Sequence, residues 1–173
     1  MTHPKRLGNV WENEVAKIFS LWVTQGKDDS VYYRDISSGA RCTKRKEENK
    51  TTMNAGGDIV AQDLQYKPFL DKYYLEAKNY ASLNSNFINS GNIKSNQLFN
   101  MWLKTLQDCG DKIPLMICKI RDGVTKPILF YPLNTSIKAV NYMEYHTQGI
   151  CFRVCNLQEF LDNNSYEKLI KAV

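Results

Sequence analysis

Glu76 and Lys78 stand two residues apart in the apolar stretch Tyr73-Tyr74-Leu75-Glu76-Ala77-Lys78, and Asp58 opens a second such run, Asp58-Ile59-Val60-Ala61. On a strand, side chains two apart share a face, so the Glu76 carboxylate and the Lys78 ammonium emerge together while Leu75 and Ala77 point the other way. A neighbouring strand carrying Asp58 would set two hard oxygen ligands and one cation around a common point. That layout suits a divalent metal and a phosphodiester. The same dyad also fits a cross-strand ion pair on a wet edge, worth about 0.2–1 kcal/mol.

These groups need elements to position them. From Gly8 to about Val23 the residues Trp11, Val15, Ile18, Phe19 and Trp22 recur at steps of three and four, the period of an amphipathic helix. Glu12 lies on the flank of that stripe, one turn before Val15, whereas Glu14 is about 200° around from it and should face water. A charge directed at the protein body wants a partner, which a metal, a lysine or a cap would supply. A first strand is expected over Val31 to Ile36, followed by a long polar loop. There Ser38, Arg41, Lys44, Arg45 and Lys46 suit contacts with phosphate oxygens, although Glu47 and Glu48 dilute the positive field and a solvated loop would have the same composition. Asn79 to Asn92 reads as a further loop. A helix is predicted from Lys94 to Asp108 with Leu98, Met101, Trp102 and Leu106 inward. Ile113–Ile120 and Lys126–Tyr131 read as a hairpin, Ile150–Val154 as another strand, and Asn156, with Glu159 three residues on, as the cap of a closing helix that carries Leu157, Phe160, Leu161, Leu169 and Ile170. Tyr66, Phe69, Trp102 and Tyr131 are expected in the core or at its edge. The fold class is therefore α/β, a mixed central sheet flanked by helices.

The order of these elements, a helix with Glu12, a strand, a Gly57-Asp58 strand, a Glu76-x-Lys78 strand and then a helix, resembles the PD-(D/E)XK nuclease superfamily. Within it, Arg6-Leu7-Gly8-Asn9-Val10-Trp11-Glu12-Asn13-Glu14 is similar to the opening of the archaeal-type Holliday junction resolvases. The resemblance covers about residues 6–132 of a single domain spanning 1–173, and leaves a C-terminal extension from about 133. It implies a restriction-endonuclease-like core and a metal-dependent DNA endonuclease that selects branched or junction DNA. Asp58, Glu76 and the backbone carbonyl of Ala77 would bind Mg²⁺ or Mn²⁺, Lys78 would hold the attacking water or the developing charge, and Glu12 would serve a second metal or a metal-bound water. Lys94 and Gln97, at the start of the following helix, would lie near the DNA. A two-fold junction suits a homodimer. A nucleic-acid-binding module without turnover, and a sequence-specific restriction-type nuclease, share the same residues.

Composition is compatible with this reading. A chain of 173 residues is one domain by length, and its net charge of +5 and pI near 8.9 favour approach to a polyanion. The five cysteines form no metal-site spacing, and their odd number, with no signal-peptide pattern, is expected of free thiols in the cytoplasm. His3 and His146 lie outside the candidate set. No apolar run approaches the roughly 18 residues of a membrane span.

Overall fold

The computed structural model describes residues 4–35, 57–80, 97–121, 126–147 and 149–171. Of the expected phosphate-contacting residues, Ser38, Arg41, Lys44, Arg45, Lys46 and Lys94 lie outside these segments.

Helix α1 (Pro4–Val23) buries Trp11, Val15 and Phe19 of the expected stripe together with Val23, while Ile18 and Trp22 are partly buried against the same core. After it come β1 (Tyr32–Arg34) and β2 (Ile59–Ala61), which pair antiparallel with Tyr33 opposite Val60. A 3₁₀ turn at Leu64–Tyr66 leads into the short helix α2 (Lys67–Lys72) and directly into β3 (Tyr73–Tyr80). Helix α3 (Gln97–Asp108) then precedes β4 (Ile113–Ile120), which runs parallel to β3 with Glu76 level with Met116. The chain continues through β5 (Ile128–Pro132), β6 (Tyr142–Thr147) and β7 (Ile150–Asn156). Helices α4 (Leu157–Asn163) and α5 (Tyr166–Lys171) follow. The five-stranded sheet has the order β3-β4-β5-β7-β6, and its last three pairings are antiparallel.

Strand alternation divides the core in two. Tyr73, Leu75, Ala77, Leu115, Ile117, Leu129 and Tyr131 face a layer that includes α1, α2, α4 and α5. Met116, Cys118, Phe130, Phe152 and Val154 face α3 through Leu98, Phe99 and Trp102. The expected sheet between helices is therefore present, and Phe69, Trp102 and Tyr131 are fully buried. Among the described residues no helix is long and apolar enough to cross a membrane.

Three elements differ from expectation. Helix α2 buries only Phe69 and Leu70, too few for a periodic pattern to announce it. Strand β6 is an edge strand, turned back onto β7 at Gly149 (φ 77°), and its residues are mostly exposed, so it lacks the apolar alternation of a half-buried strand. The closing helix is two helices. Asn164 between them is extended, its amide donating to Phe160 and Lys138 carbonyls at 2.7 Å, and this local bonding outcompetes helix continuation. Asn156 caps α4 as expected, its side chain accepting from the Gln158 N–H at 2.9 Å. Glu159 does not complete a capping box, because it binds the Val140 N–H at 2.9 Å instead.

Candidate active site at the β2–β3 fork

Gly57 decides how β2 begins. Its φ is 103°, and a Cβ there would lie 2.3 Å from the Leu75 carbonyl oxygen, so only glycine lets the two backbones approach this closely. A single bridge results, in which the Asp58 N–H donates to the Leu75 carbonyl at 2.9 Å. The Asp58 carbonyl accepts from the Asp35 N–H at 2.8 Å, so β1, β2 and β3 converge at this residue. Beyond it, among the described residues, β2 pairs with β1 alone, and the edge of β3 opens as a fork.

The Asp58 side chain fills that fork. Its Oδ2 accepts from the Ala77 N–H at 2.9 Å, between the Glu76 and Lys78 side chains. In extended backbone the N–H and C=O of one residue face the same side, so the Ala77 carbonyl also looks into the fork. Glu76 accepts from the Tyr74 hydroxyl at 3.1 Å through Oε2 and forms an ion pair with Lys78 through Oε1. The side chains of Glu76 and Lys78 are only 14% and 27% exposed, which distinguishes this pair from a wet-edge ion pair. They stand on the face of β3 that carries α3, the opposite face from α1.

Electrostatics agree with the geometry. Burial, and next the charge of Glu76, push Asp58 up to about 7, while the Ala77 N–H and Lys78 pull the other way and Glu12 adds a smaller upward push. Burial opposes the charge on Lys78, but Glu76 and Asp58 outweigh it and hold the ammonium above its usual value. Burial and Glu76 together keep the Tyr74 phenol protonated well beyond its ordinary range. Among the described residues, two adjacent carboxylates thus share one lysine, a set short of positive charge.

Glu12 reaches the fork's electrostatic field from α1. Its Oε2 accepts from Arg34 at 3.2 Å, and the same guanidinium nitrogen donates to Asn9 at 3.0 Å. Asn79, directly after Lys78, donates to the Leu7 carbonyl at 3.0 Å and ties the start of α1 to β3. A Cβ at Gly8 would meet Glu12 Oε1 at 4.0 Å, ordinary contact, so nothing steric requires glycine there. Glu14 is not simply solvated: it pairs with Lys119 of β4 at 2.6 Å, and Lys119 in turn lies 5.0 Å from the Trp11 ring centre. The 100° step per residue places Glu14 off the buried stripe correctly, but the sheet extends far enough to meet it. Gln97 opens α3 with an exposed side chain.

Sequence reasoning overlooked Arg34, Asn79, Tyr74 and Asp35. Tyr74 carried a signal, since it shares the strand face of Glu76 and Lys78. Asp35, 7% exposed at the end of β1, is placed by the pairing of β1 with β2, which no local pattern announces. Among the described residues no three His, Cys, Asp or Glu side chains converge as a metal-holding group. Among the described residues, the fork offers Asp58, Glu76 and the Ala77 carbonyl as oxygen donors. No family model matches the chain, and neither a curated protein nor a solved structure matches it at a significant level.

Proposed function

We propose that the chain is a metal-dependent endonuclease that hydrolyses DNA phosphodiester bonds, with a restriction-endonuclease-like core. One observation carries the reading: Asp58 is bonded to the Ala77 N–H between Glu76 and Lys78, at the point where β2 leaves β3. The succession α1, β1, β2, β3, α3, β4, with β3 and β4 parallel, supports it, and α2 is an added element between β2 and β3.

The donor set fits a hard divalent cation. Burial and mutual repulsion raise Asp58 while one lysine serves both carboxylates, so a second positive charge at the fork would relieve the strain that these groups impose on each other. Asp58, Glu76 and the Ala77 carbonyl would hold Mg²⁺ or Mn²⁺ through oxygen. Bound there, the metal supplies Lewis acidity toward a phosphate oxygen and acidifies a water. Lys78, paired with Glu76 at the edge of the fork, would orient the water or meet the negative charge that develops on phosphorus. Tyr74 holds the second oxygen of Glu76, limiting how that carboxylate rotates. Asn9 accepts from Arg34, whose guanidinium holds Glu12, and the negative charge of Glu12 adds to the field that would draw a cation to Asp58.

The test is cleavage of linear duplex, single-stranded and four-way-junction DNA in Mg²⁺ and in EDTA. Parental protein should cut in Mg²⁺ alone. Asp58→Ala and Glu76→Ala should each abolish cutting while DNA binding persists. Binding without cleavage by the parental protein, across all three substrates and with Mn²⁺ as well, would favour a module that keeps the fold without turnover. Cleavage by either folded variant at the parental rate would remove the metal-site assignment.

A further inference from the structure

The outer end of the β6–β7 hairpin carries a relay of polar side chains that the fork does not use. His146 and Cys151 are cross-strand partners, as are Glu144 and Arg153, so all four side chains stand on one face. Cys151 Sγ lies 3.1 Å from His146 Nδ1. The other ring nitrogen, Nε2, lies 2.8 Å from Glu144 Oε1. Glu144 Oε2 accepts from Arg153 Nε at 2.9 Å, and the Arg153 guanidinium stacks 4.5 Å from the Tyr142 ring centre.

The order of donors follows from these contacts. Hydrogen bonds from Arg153 and His146 keep the Glu144 carboxyl below its usual range, so at neutral pH it is ionised and can only accept. His146 Nε2 must then carry the proton. In the neutral ring Nδ1 is left as the acceptor, and the Cys151 thiol donates to it. A thiol, a base and a group that orients the base stand in sequence, with Cys151 exposed. Cys109, Cys118 and Cys155, by contrast, are buried.

We propose that Cys151 is a modification site that takes up low-molecular-weight disulfides, with His146 as its proton acceptor and Glu144 as the residue that positions the ring. The Cys151 proton moves to His146 Nδ1 as Sγ attacks one sulfur of the disulfide. The S–S bond breaks, a mixed disulfide forms on Cys151, and the other half leaves as a thiolate that regains a proton from His146 or water. Cys151 sulfur is oxidised and the departing sulfur is reduced, so the exchange needs no other reagent. An ordinary thiol is only a few per cent thiolate at neutral pH. An acceptor that takes the proton as Sγ attacks spares that prior ionisation, an effect on the order of tenfold in rate.

The experiment treats full-length protein, with Cys42→Ser to silence the remaining thiol, with oxidised glutathione at neutral pH, followed by quenching and peptide mapping. The mixed disulfide should map to Cys151 and form about tenfold faster than in His146→Gln. Glu144→Gln should slow it similarly, because a glutamine amide can donate to Nε2 and favours the tautomer whose Nδ1 already bears a proton. Both advantages should vanish when the chains are unfolded in denaturant. Equal native rates for the parental protein and His146→Gln, or an adduct mainly on another cysteine, would overturn the proposal.

Discussion

Asp58→Asn should make the metal-free protein more stable at neutral and alkaline pH while removing its activity. In the folded chain, burial and the charge of Glu76 take Asp58 from 3.8 to about 7. In the unfolded chain the group returns to its ordinary value. Between those two values the folded state retains a proton that the unfolded state has lost, so stability falls as pH rises through this window. Below it both states are protonated and no penalty exists; above it both are ionised and the penalty is complete. At about 1.36 kcal/mol per pKa unit, the span corresponds to roughly 4 kcal/mol. Asparagine, like the protonated carboxyl, keeps an oxygen for the Ala77 N–H, and the charge assistance that it forfeits is already contained in the shift. The variant should therefore gain about 4 kcal/mol near pH 8 and almost nothing near pH 4. Urea unfolding of both proteins in EDTA measures this, and the difference between them isolates Asp58 because all other groups titrate in both. Mg²⁺ near pH 8 should stabilise the parental protein and leave the variant unmoved. A parental protein as stable as Asp58→Asn near pH 8 without metal would refute the claim that this carboxylate is ionised against its surroundings.

Gly57→Ala should lose cleavage with a smaller loss of stability. Its Cβ cannot coexist with the Leu75 oxygen at 2.3 Å, and breaking one backbone hydrogen bond, about 0.5–1.5 kcal/mol, is easier than retaining that clash. Asp58 then leaves the fork, and an alanine variant that cleaves normally would show that the close approach is dispensable. Glu12→Gln should lower the cleavage rate about a hundredfold, whereas Glu14→Gln, which breaks only a half-exposed pair with Lys119, should be nearly silent; single-turnover rates compare them, and reversed effects would count against the assignment. Lys78→Arg should turn over poorly, since a planar guanidinium cannot replace a compact ammonium beside Glu76; a near-parental kcat would reduce Lys78 to a surface cation. Neutralising Lys44, Arg45 and Lys46 together should weaken binding to all DNA sequences and flatten the salt dependence by up to about three in slope. An unchanged slope would return that loop to a solvated linker.

Much of this protein was legible from local chemistry. The three- and four-residue recurrence of Trp11, Val15 and Phe19 specifies α1 because a helix must bury one stripe. The alternation in Tyr73–Tyr80 puts Glu76 and Lys78 on one face because the strand period is two. The β4–β5 hairpin and the Asn156 cap were readable for the same reason, since each depends on residues close in the chain. Tertiary structure alone decided what joins these pieces. That β3 and β4 run parallel, that Asp58 bonds to Ala77 nineteen residues away, and that Arg34 rather than a lysine holds Glu12 all depend on pairings between distant segments. Edge strand β6 escaped because little of it beyond Tyr145 packs on the core and hydrogen bonds to β7 hold the rest, and with it went the Cys151–His146 contact. A sequence states which side chains share a face of one element. Which elements lie side by side is set by burying all the faces at once, and that is a property of the whole chain.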